Sequence, residues 1–563
     1  MRALFLLLLV WFSFGIRYCL SQQVFWVQWK EGTEAPSKFS SLSSRLAALH
    51  FSDSIQNALK DKGFLQLEAK EFSSEDTFKI NIEPGLLFFW KEVRRGNVPE
   101  DLWLKLGVPG NSYQAPYHWM DRLISLAEEK GYPFAKVSLD SVRLEGSFLF
   151  GLFDYEEGPW ITWDSLEVSG DTKTQRRYLQ QFSGLVPGAS FSQTALEKSI
   201  QKIRRSPYFS LASVPQLNFQ TKNAKPSFEL KDRKINVFDG IIGLIPNQNQ
   251  PGTMLITGEL NLALYHLGGK GRDFSVQWQR LNIQSQTLEI NAKESFLFRS
   301  PLDLQLDFSL LKQDSSFVNR TFQVDFGYRL SDTGYLRFFN RRQSGDLIGN
   351  SDQTASLPPA LDYRWNQYGL GVMFDWLDDP VFARKGVKII SEFSLGNKRI
   401  VENTSIPEEL YQGLELASPQ YQGSLSVEKH LYVKPFWGMW LRGYGSFMKN
   451  ENLFLNEFFR FGGLKTIRGF NEKFFFADRY AFLNLEQRFY VGQNSYLMVF
   501  GDLGVLQNPY FSPKIDRPAS FGMGLNLDTD GGLFSFVFGL GQSNAQPLSF
   551  SYSRIHFGYL ARF

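Results

Sequence analysis

One stretch of the chain, from Leu302 to Leu310, reads LDLQLDFSL. Leucine and phenylalanine alternate there with Asp, Gln and Ser, which is the pattern of a β-strand with one apolar and one polar face. The alternation continues in FQVDFGYRL, from Phe322 to Leu330, and returns in FGMGLNLD, from Phe521 to Asp528. These stretches predict a sheet that separates an apolar environment from a polar one.

The same pattern extends over residues 235–563, where helical periodicity is nearly absent. The alternating runs are close to the roughly nine to eleven residues that a tilted membrane strand needs. A soluble sandwich also alternates, but its strands average about five or six residues. Counting the runs between turn clusters predicts an all-β transmembrane barrel of about sixteen antiparallel strands at 235–563.

The composition supports this prediction and excludes other classes of protein. The 563 residues carry 60 Lys+Arg against 57 Asp+Glu, so no basic field points to nucleic acid as a partner. Aromatic residues make up 16% of a chain whose mean hydropathy is slightly negative, which suits neither a helical membrane protein nor a disordered chain. Aromatic residues at run ends, such as Phe436, Trp437 and Trp440, are predicted to lie at the interfaces of the outer-membrane lipid bilayer.

Residues 1–21 have the pattern of a secretory signal peptide. Arg2 precedes a short apolar run, and cleavage is expected after Ser21. A membrane anchor is the alternative, but the run is short for a spanning helix. A lipoprotein role for Cys19 is a further alternative, although Tyr18 is not the small residue expected before it. Cleavage would leave the mature chain without cysteine.

Between the signal and the barrel, one pattern recurs three times, at 22–85, 86–158 and 159–234. Each copy has a strand, a helical stretch and two further strands. The second and third copies open alike, with EPG at 83–85 before FFWKEV, and with EGP at 157–159 before ITWDSLEV. These copies resemble the polypeptide-transport-associated (POTRA) repeats of the BamA/TamA-like superfamily; unrelated α+β domains are the alternative. The resemblance implies α+β repeats in the periplasm.

The stretch FGGLKTIRGF at 461–470 strengthens this resemblance. It lies between two strand-like runs, so it is predicted to be a long loop. In the BamA/TamA-like superfamily a loop with an (I/V)RG(F/Y) core folds into the lumen, and Ile467, Arg468, Gly469 and Phe470 match that core. Beyond it, FGDLG at 500–504 matches the F-x-D-x-G strand of the superfamily, whose acid faces the lumen near the arginine.

The residues themselves support a contact between this loop and the barrel wall. Alternation assigns Leu497, Val499, Leu503 and Val505 to lipid, so Phe500, Asp502 and Gly504 should point inward. Arg468 in a partly desolvated lumen needs an acceptor, which predicts Asp502 as its partner and Glu486 next. Gly469 is expected in a tight turn, and Gly504 is expected to leave room for an approaching side chain.

The first and last strands of the barrel form its predicted seam. The first strand, near 236–245, contains Gly240 and Gly243 and should therefore pair weakly with the last strand. That last strand ends at Phe563, and a terminal phenylalanine resembles the assembly signal that many outer-membrane barrels share.

Catalytic and metal motifs are missing from the sequence. The five histidines are dispersed, with no H-E-x-x-H and no cysteine partners for zinc, and no G-x-S-x-G elbow occurs. Neither an enzymatic activity nor a metal or other cofactor is expected.

The resemblance implies a factor that inserts outer-membrane proteins or translocates polypeptide, with the barrel opening at its seam. Unfolded outer-membrane proteins or secreted polypeptides would be its clients, and periplasmic or lipoprotein accessory partners are further candidates. Three repeats is the TamA-like number, whereas BamA has five. A two-partner secretion transporter for one substrate is an alternative, although such transporters typically carry two repeats and a plug helix. A passive porin or structural surface barrel is the other alternative.

Overall fold

The computed structural model describes residues 24–561, except 33, 75–76, 108–109, 247–253, 281–284, 315, 349–355 and 530. The predicted signal peptide and Phe563 lie outside the described residues. The chain divides into two compact units. One contains the residues up to Trp163 together with Pro187–Leu196 and Phe219–Ala224, and the other contains Asp164–Val186, Glu197–Asn218 and Lys225–Phe563.

The first region is a helix packed on a four-stranded sheet. Phe78, Ile80 and Ile82 are buried on one face of a single strand and form a core with Leu59 of the helix. Ser44 caps that helix by accepting a hydrogen bond from the Ala47 N–H group. The elements are β1 (Val24–Trp29), β2 (Lys38–Leu42), α1 (Arg45–Asp61), β3 (Glu68–Ser73) and β4 (Thr77–Glu83). The sheet order is β2-β1-β4-β3, with β1 parallel to β4.

The second region has the order strand, helix, helix, strand, strand. Trp119 and Leu123 on one side of the longer helix are buried against Phe153 of the sheet. Its first strand is parallel to its last, and the last is antiparallel to the middle strand. The elements are β5 (Phe89–Arg94), α2 (Glu100–Trp103), α3 (Ala115–Glu129), β6 (Lys136–Glu145) and β7 (Phe148–Glu156).

The third region again has an early strand, β9, that is parallel to its last strand, β12. All three regions thus contain an early strand parallel to the last one, while the exact repeat boundaries stay a prediction. The elements are β8 (Thr162–Trp163), β9 (Glu167–Ser169), α4 (Arg176–Ser183), α5 (Gln193–Arg204), β10 (Phe209–Leu211), β11 (Gln216–Phe219) and β12 (Asn223–Asp232).

The rest of the chain forms one antiparallel sheet, nearly closed into a barrel of sixteen strands, and the predicted fold class is confirmed. Each strand of the barrel wall pairs antiparallel with the wall strand that follows it along the chain. The strands of the barrel wall are β13 (Val237–Pro246), β14 (Met254–Leu264), β15 (Arg272–Arg280), β16 (Gln286–Glu294), β17 (Leu302–Gln313), β18 (Phe317–Arg329), β19 (Gly334–Leu347), β20 (Tyr363–Asp375), β21 (Gly386–Ile400), β22 (Ala417–Lys434), β23 (Trp437–Lys449), β26 (Arg479–Tyr490), β27 (Tyr496–Gln507), β29 (Ala519–Thr529), β30 (Gly532–Gln542) and β31 (Arg554–Ala561).

Three short strands complete the sheet content. Two of them, β24 (Phe459–Phe461) and β25 (Phe475–Ala477), form a hairpin inside the loop between β23 and β26. The third, β28 (Ile515–Asp516), pairs with the end of β27. Among the described residues, no helix is long and apolar enough to cross a membrane.

The two faces of the barrel wall follow the predicted alternation. Phe322 and Phe326 are about half exposed on the outer face, whereas Gln323 and Asp325 between them are buried on the inner face. Trp440 is an exception to the predicted aromatic interface, because it faces the lumen. Trp440 lies on the inward face of β23, opposite His430 of β22. The indole N–H of Trp440 donates to Glu428 at 2.9 Å.

The part of the third region that belongs to the second unit packs against one end of the barrel, which we call the near end. His266, in the turn between β14 and β15, stacks on Tyr208 with ring centroids 4.7 Å apart. The Gly271 N–H donates to its Nδ1 at 3.0 Å, so the neutral ring donates from Nε2 to Thr174 Oγ1 at 3.0 Å. Arg205 adds a hydrogen bond to the backbone carbonyl of Asp375 at 2.6 Å. The opposite end of the barrel is the far end.

The seam lies where the sheet ends. In the part of the chain that the structure describes, β13 and β31 are the two edges of the sheet, and they lie beside each other without a paired register. Gly240 and Gly243 both lie in β13 and face Leu260 and Thr257 across the β14 pairing.

Candidate functional site: the loop folded into the lumen

The candidate site is built by the long connection between β23 and β26, which leaves the far end of the barrel and returns inward. Aromatic packing shapes this loop. Phe461 of the β24–β25 hairpin stacks on Tyr480 of the wall, with ring centroids 4.1 Å apart and planes at 14°. Ile467 and Phe470 are fully buried in the same cluster. The loop is therefore a packed part of the interior.

Arg468 at the tip of the loop binds Asp502 of β27. Its Nε donates to Asp502 Oδ2 at 2.9 Å, and its Nη2 donates to Oδ1 at 2.6 Å. The Arg468 backbone N–H also donates to Oδ2 at 2.9 Å. Asp502 is 0% exposed and Arg468 is 3% exposed, so a two-pronged ion pair lies out of water. The structure thus brings together the two residues that the sequence predicted as partners.

Glu486 is the second acceptor of Arg468. The remaining nitrogen, Nη1, donates to Glu486 Oε1 at 2.5 Å. Arg488 donates to the other oxygen of Glu486 at 2.7 Å, so two arginines balance the charges of two carboxylates. Phe500 lies under the guanidinium, whose carbon is 3.8 Å from the ring centroid. This set of contacts can hold a loop tip at one place on the barrel wall.

Two glycines let the loop approach the wall. Gly469 has a φ of +81°, and a Cβ there would come within 2.8 Å of the Leu540 carbonyl carbon. Its carbonyl accepts a hydrogen bond from the side chain of Gln546 at 3.1 Å. At Gly504, a Cβ would lie 2.6 Å from Cδ1 of Ile467. The side chain that needs the space at Gly504 is therefore the isoleucine of the loop motif itself.

A second anchor holds the base of the loop, and the sequence reasoning missed it. Lys398 of β21 donates to Glu457 Oε1 at 2.7 Å, and both side chains are essentially fully buried. Glu457 also accepts a hydrogen bond from the backbone N–H of Phe454 at 3.1 Å. Lys398 further donates to the carbonyl of Asn452. Alternation places Lys398 on the inner face, but nothing in the sequence pairs it with a residue of a loop so far along the chain.

A polar cavity of about 300 Å³ lies inside the barrel, towards its near end. Aromatic and charged side chains share its lining, among them Arg384, Trp440, Arg488 and Tyr496. Glu428 accepts from Trp440 and binds His430 at 2.7 Å there. Within the described part of the chain, no group of three or more His, Cys, Asp or Glu residues is placed to hold a metal ion.

Solved structures share this architecture. No family model matches the sequence, and no curated protein matches it. The chain is similar to CdiB from Acinetobacter baumannii at a TM-score of 0.51 and 11% identity, covering 92% of this chain and 97% of that one. It is similar to CdiB from Escherichia coli at a TM-score of 0.51 and 13% identity, and the match covers 92% of this chain and 96% of that one. A BamA from Haemophilus ducreyi lacking POTRA domains 1–3 matches at a TM-score of 0.46 and 12% identity, and the match covers 84% of this chain and 98% of that one.

At such identities the likeness to the CdiB structures shows the fold. It extends over nearly the whole chain, the α+β regions included. The likeness to the two CdiB structures agrees with the predicted fold, α+β regions followed by a barrel.

Proposed function

We propose that this protein resides in the outer membrane and inserts or translocates polypeptide clients without enzymatic chemistry. Its α+β regions would receive extended clients in the periplasm by adding a client strand to an exposed sheet edge. The barrel would pass the client across or into the membrane.

The observation that carries this proposal is the loop held inside the barrel by the ion pair of Arg468 with Asp502. A desolvated arginine with three side-chain hydrogen bonds to carboxylates is costly to place and costly to break. A passive pore gains nothing from such a plug. A barrel that must stay closed and change its wall during transport needs an element that connects several strands, and the loop contacts β21, β26 and β27.

The unpaired seam supports insertion through the wall. Because the described residues of β13 and β31 lie beside each other without a paired register, opening there breaks fewer of the described backbone hydrogen bonds than opening between two paired neighbouring strands.

Double cysteine variants test this step, with one cysteine in β13 and one in β31, screened for pairs that oxidise. The mature chain has no other cysteine if the predicted signal is removed. We expect the oxidised barrel to lose client insertion and to regain it after reduction, with each single cysteine variant as the control. Full activity of the locked barrel would contradict opening at the seam.

Export of one dedicated polypeptide through the lumen is the second candidate function, and the polar cavity at the near end favours it. That cavity offers aromatic and charged side chains to a chain entering from the periplasm. Blocking the lumen separates the candidates, and the single-channel conductance of the protein and of a variant lacking 461–470 tests whether the loop closes the lumen. Export predicts a closed protein whose conductance rises strongly on deletion, whereas insertion at the seam predicts client assembly that continues when the lumen is blocked.

A further inference from the structure

The outer face of the barrel carries an arginine cluster at the far end. Arg320 of β18, Arg342 of β19, Arg364 of β20 and Arg399 of β21 line one groove of about 470 Å³. Their register places them on the lipid-facing side, because Arg342 is opposite the exposed Phe322. Four consecutive strands thus present four guanidinium groups to the same place.

The positive charge of this cluster is only partly balanced. Asp346 binds Arg320 at 3.2 Å and Arg364 at 2.6 Å. Neither Arg342 nor Arg399 forms an ion pair with any residue that the structure describes. Arg364 and Arg399 are also directly opposite each other across the β20–β21 pairing, an arrangement of like charges that destabilises a sheet. The groove therefore has a net positive charge that an external anion would compensate.

The surroundings of the groove are apolar on the side towards the middle of the barrel wall. Phe308 and Phe322 line the groove itself. Tyr368 and Leu395, which lie farther along β20 and β21 towards the near end, are each more than half exposed on the same outer face. A ligand that fits both parts has an anionic head and apolar chains, and arginine is suited to phosphate because its planar fork binds two oxygens at once.

We propose that this groove binds a lipid with a phosphorylated headgroup in the outer leaflet of the membrane. The phosphate would lie between Arg342 and Arg399, and the acyl chains would extend along the exposed apolar side chains below. The proposal rests on the outer-membrane location proposed above, and it does not depend on client insertion. Such a lipid would fix the height of β18–β21 in the membrane, on the wall away from the seam.

The test compares lipid A, which carries two phosphates, with its dephosphorylated form. The full-length protein is purified in detergent, and bound lipid is measured by native mass spectrometry over a lipid titration. Arg342→Gln/Arg399→Gln is the informative variant because neither arginine forms an ion pair with a described residue that the substitution would break. Lys385→Gln/Lys434→Gln is the matched control, since both lysines are exposed at the near end and the net charge changes equally.

We expect the arginine variant to bind lipid A at least about tenfold more weakly than the unaltered protein. The control variant should bind it unchanged, and removal of the phosphates should abolish the difference between the proteins. Equal binding by the arginine variant would overturn the proposal, as would equal binding of the dephosphorylated lipid. Competition by inorganic phosphate as strong as that of lipid A would assign the groove to free phosphate instead. The heat-modifiable gel shift of a folded barrel verifies that each variant is folded.

Discussion

Removing either partner of the ion pair between Arg468 and Asp502 should destabilise the barrel strongly, and removing both should cost less than the sum. Arg468→Ala deletes three hydrogen bonds and leaves two buried carboxylates facing the space it occupied. Breaking a buried ion pair in this way costs about 3–5 kcal/mol. If each single variant loses about 3.5 kcal/mol of unfolding free energy, independent residues would give a loss of roughly 7 kcal/mol in the double variant. An interaction energy of about 3 kcal/mol between the two residues reduces that loss to about 4 kcal/mol.

The assay is urea unfolding of the purified barrel in micelles, followed by tryptophan fluorescence, with the midpoint and the slope fitted separately. A change of midpoint at constant slope reports stability, whereas a change of slope reports a different compactness. Lys465→Ala is the control because it removes a positive charge from the same loop at an exposed position. It should change the free energy of unfolding by less than about 0.5 kcal/mol.

Strict additivity of the two single variants would refute the reasoning, because it would mean that Arg468 and Asp502 do not interact in solution. A loss below about 1 kcal/mol for each single variant would also refute it, since it would place both side chains in water rather than in a desolvated interior.

Three further predictions concern the second anchor, the loop glycine and the near end. Lys398→Met should lower the free energy of unfolding by about 3 kcal/mol, and adding Glu457→Gln should restore most of it in the same urea assay. Gly469→Ala should lower the free energy of unfolding by about 1–3 kcal/mol. Gly443→Ala is its control: a Cβ at Gly443 would have no atom within 4 Å, so the free energy of unfolding should fall by less than about 1 kcal/mol. Burial lowers the pKa of His266 to about 4, so the packing of the third region should weaken as the pH falls from about 6.5 to 4. Limited proteolysis of that region over this range, with His266→Gln as the comparison, measures the effect.

The sign of the histidine effect follows from its neutral form in the folded protein. The unfolded chain takes up a proton near pH 6.5 and the folded chain only near 4, so stability is complete above 6.5 and decreases below it by up to about 3 kcal/mol. A proteolysis rate that does not change between pH 7 and 4 would contradict this. An unchanged Gly469→Ala variant would contradict the close approach to Leu540, and a double variant no better than Lys398→Met alone would contradict an isolated buried pair.

The sequence by itself determined which side of each strand faces outward from the barrel, because a period of two is a local property. Leu497, Val499 and Leu503 are exposed as expected, and Asp502 is buried. It also predicted Asp502 and then Glu486 as acceptors for Arg468, since a desolvated guanidinium requires an acceptor and the resemblance places the loop motif near the acidic strand.

Only the tertiary structure decided the contacts that depend on register between distant strands. Lys398 and Glu457 meet because the base of the loop returns to β21, and Trp440 reaches Glu428 because the pairing of β22 with β23 places Trp440 opposite His430. The arginine groove is likewise a product of four strands in register. Alternation states the face of each residue, but a shift of two residues along a strand keeps the face and changes every neighbour, so the pattern leaves these contacts open.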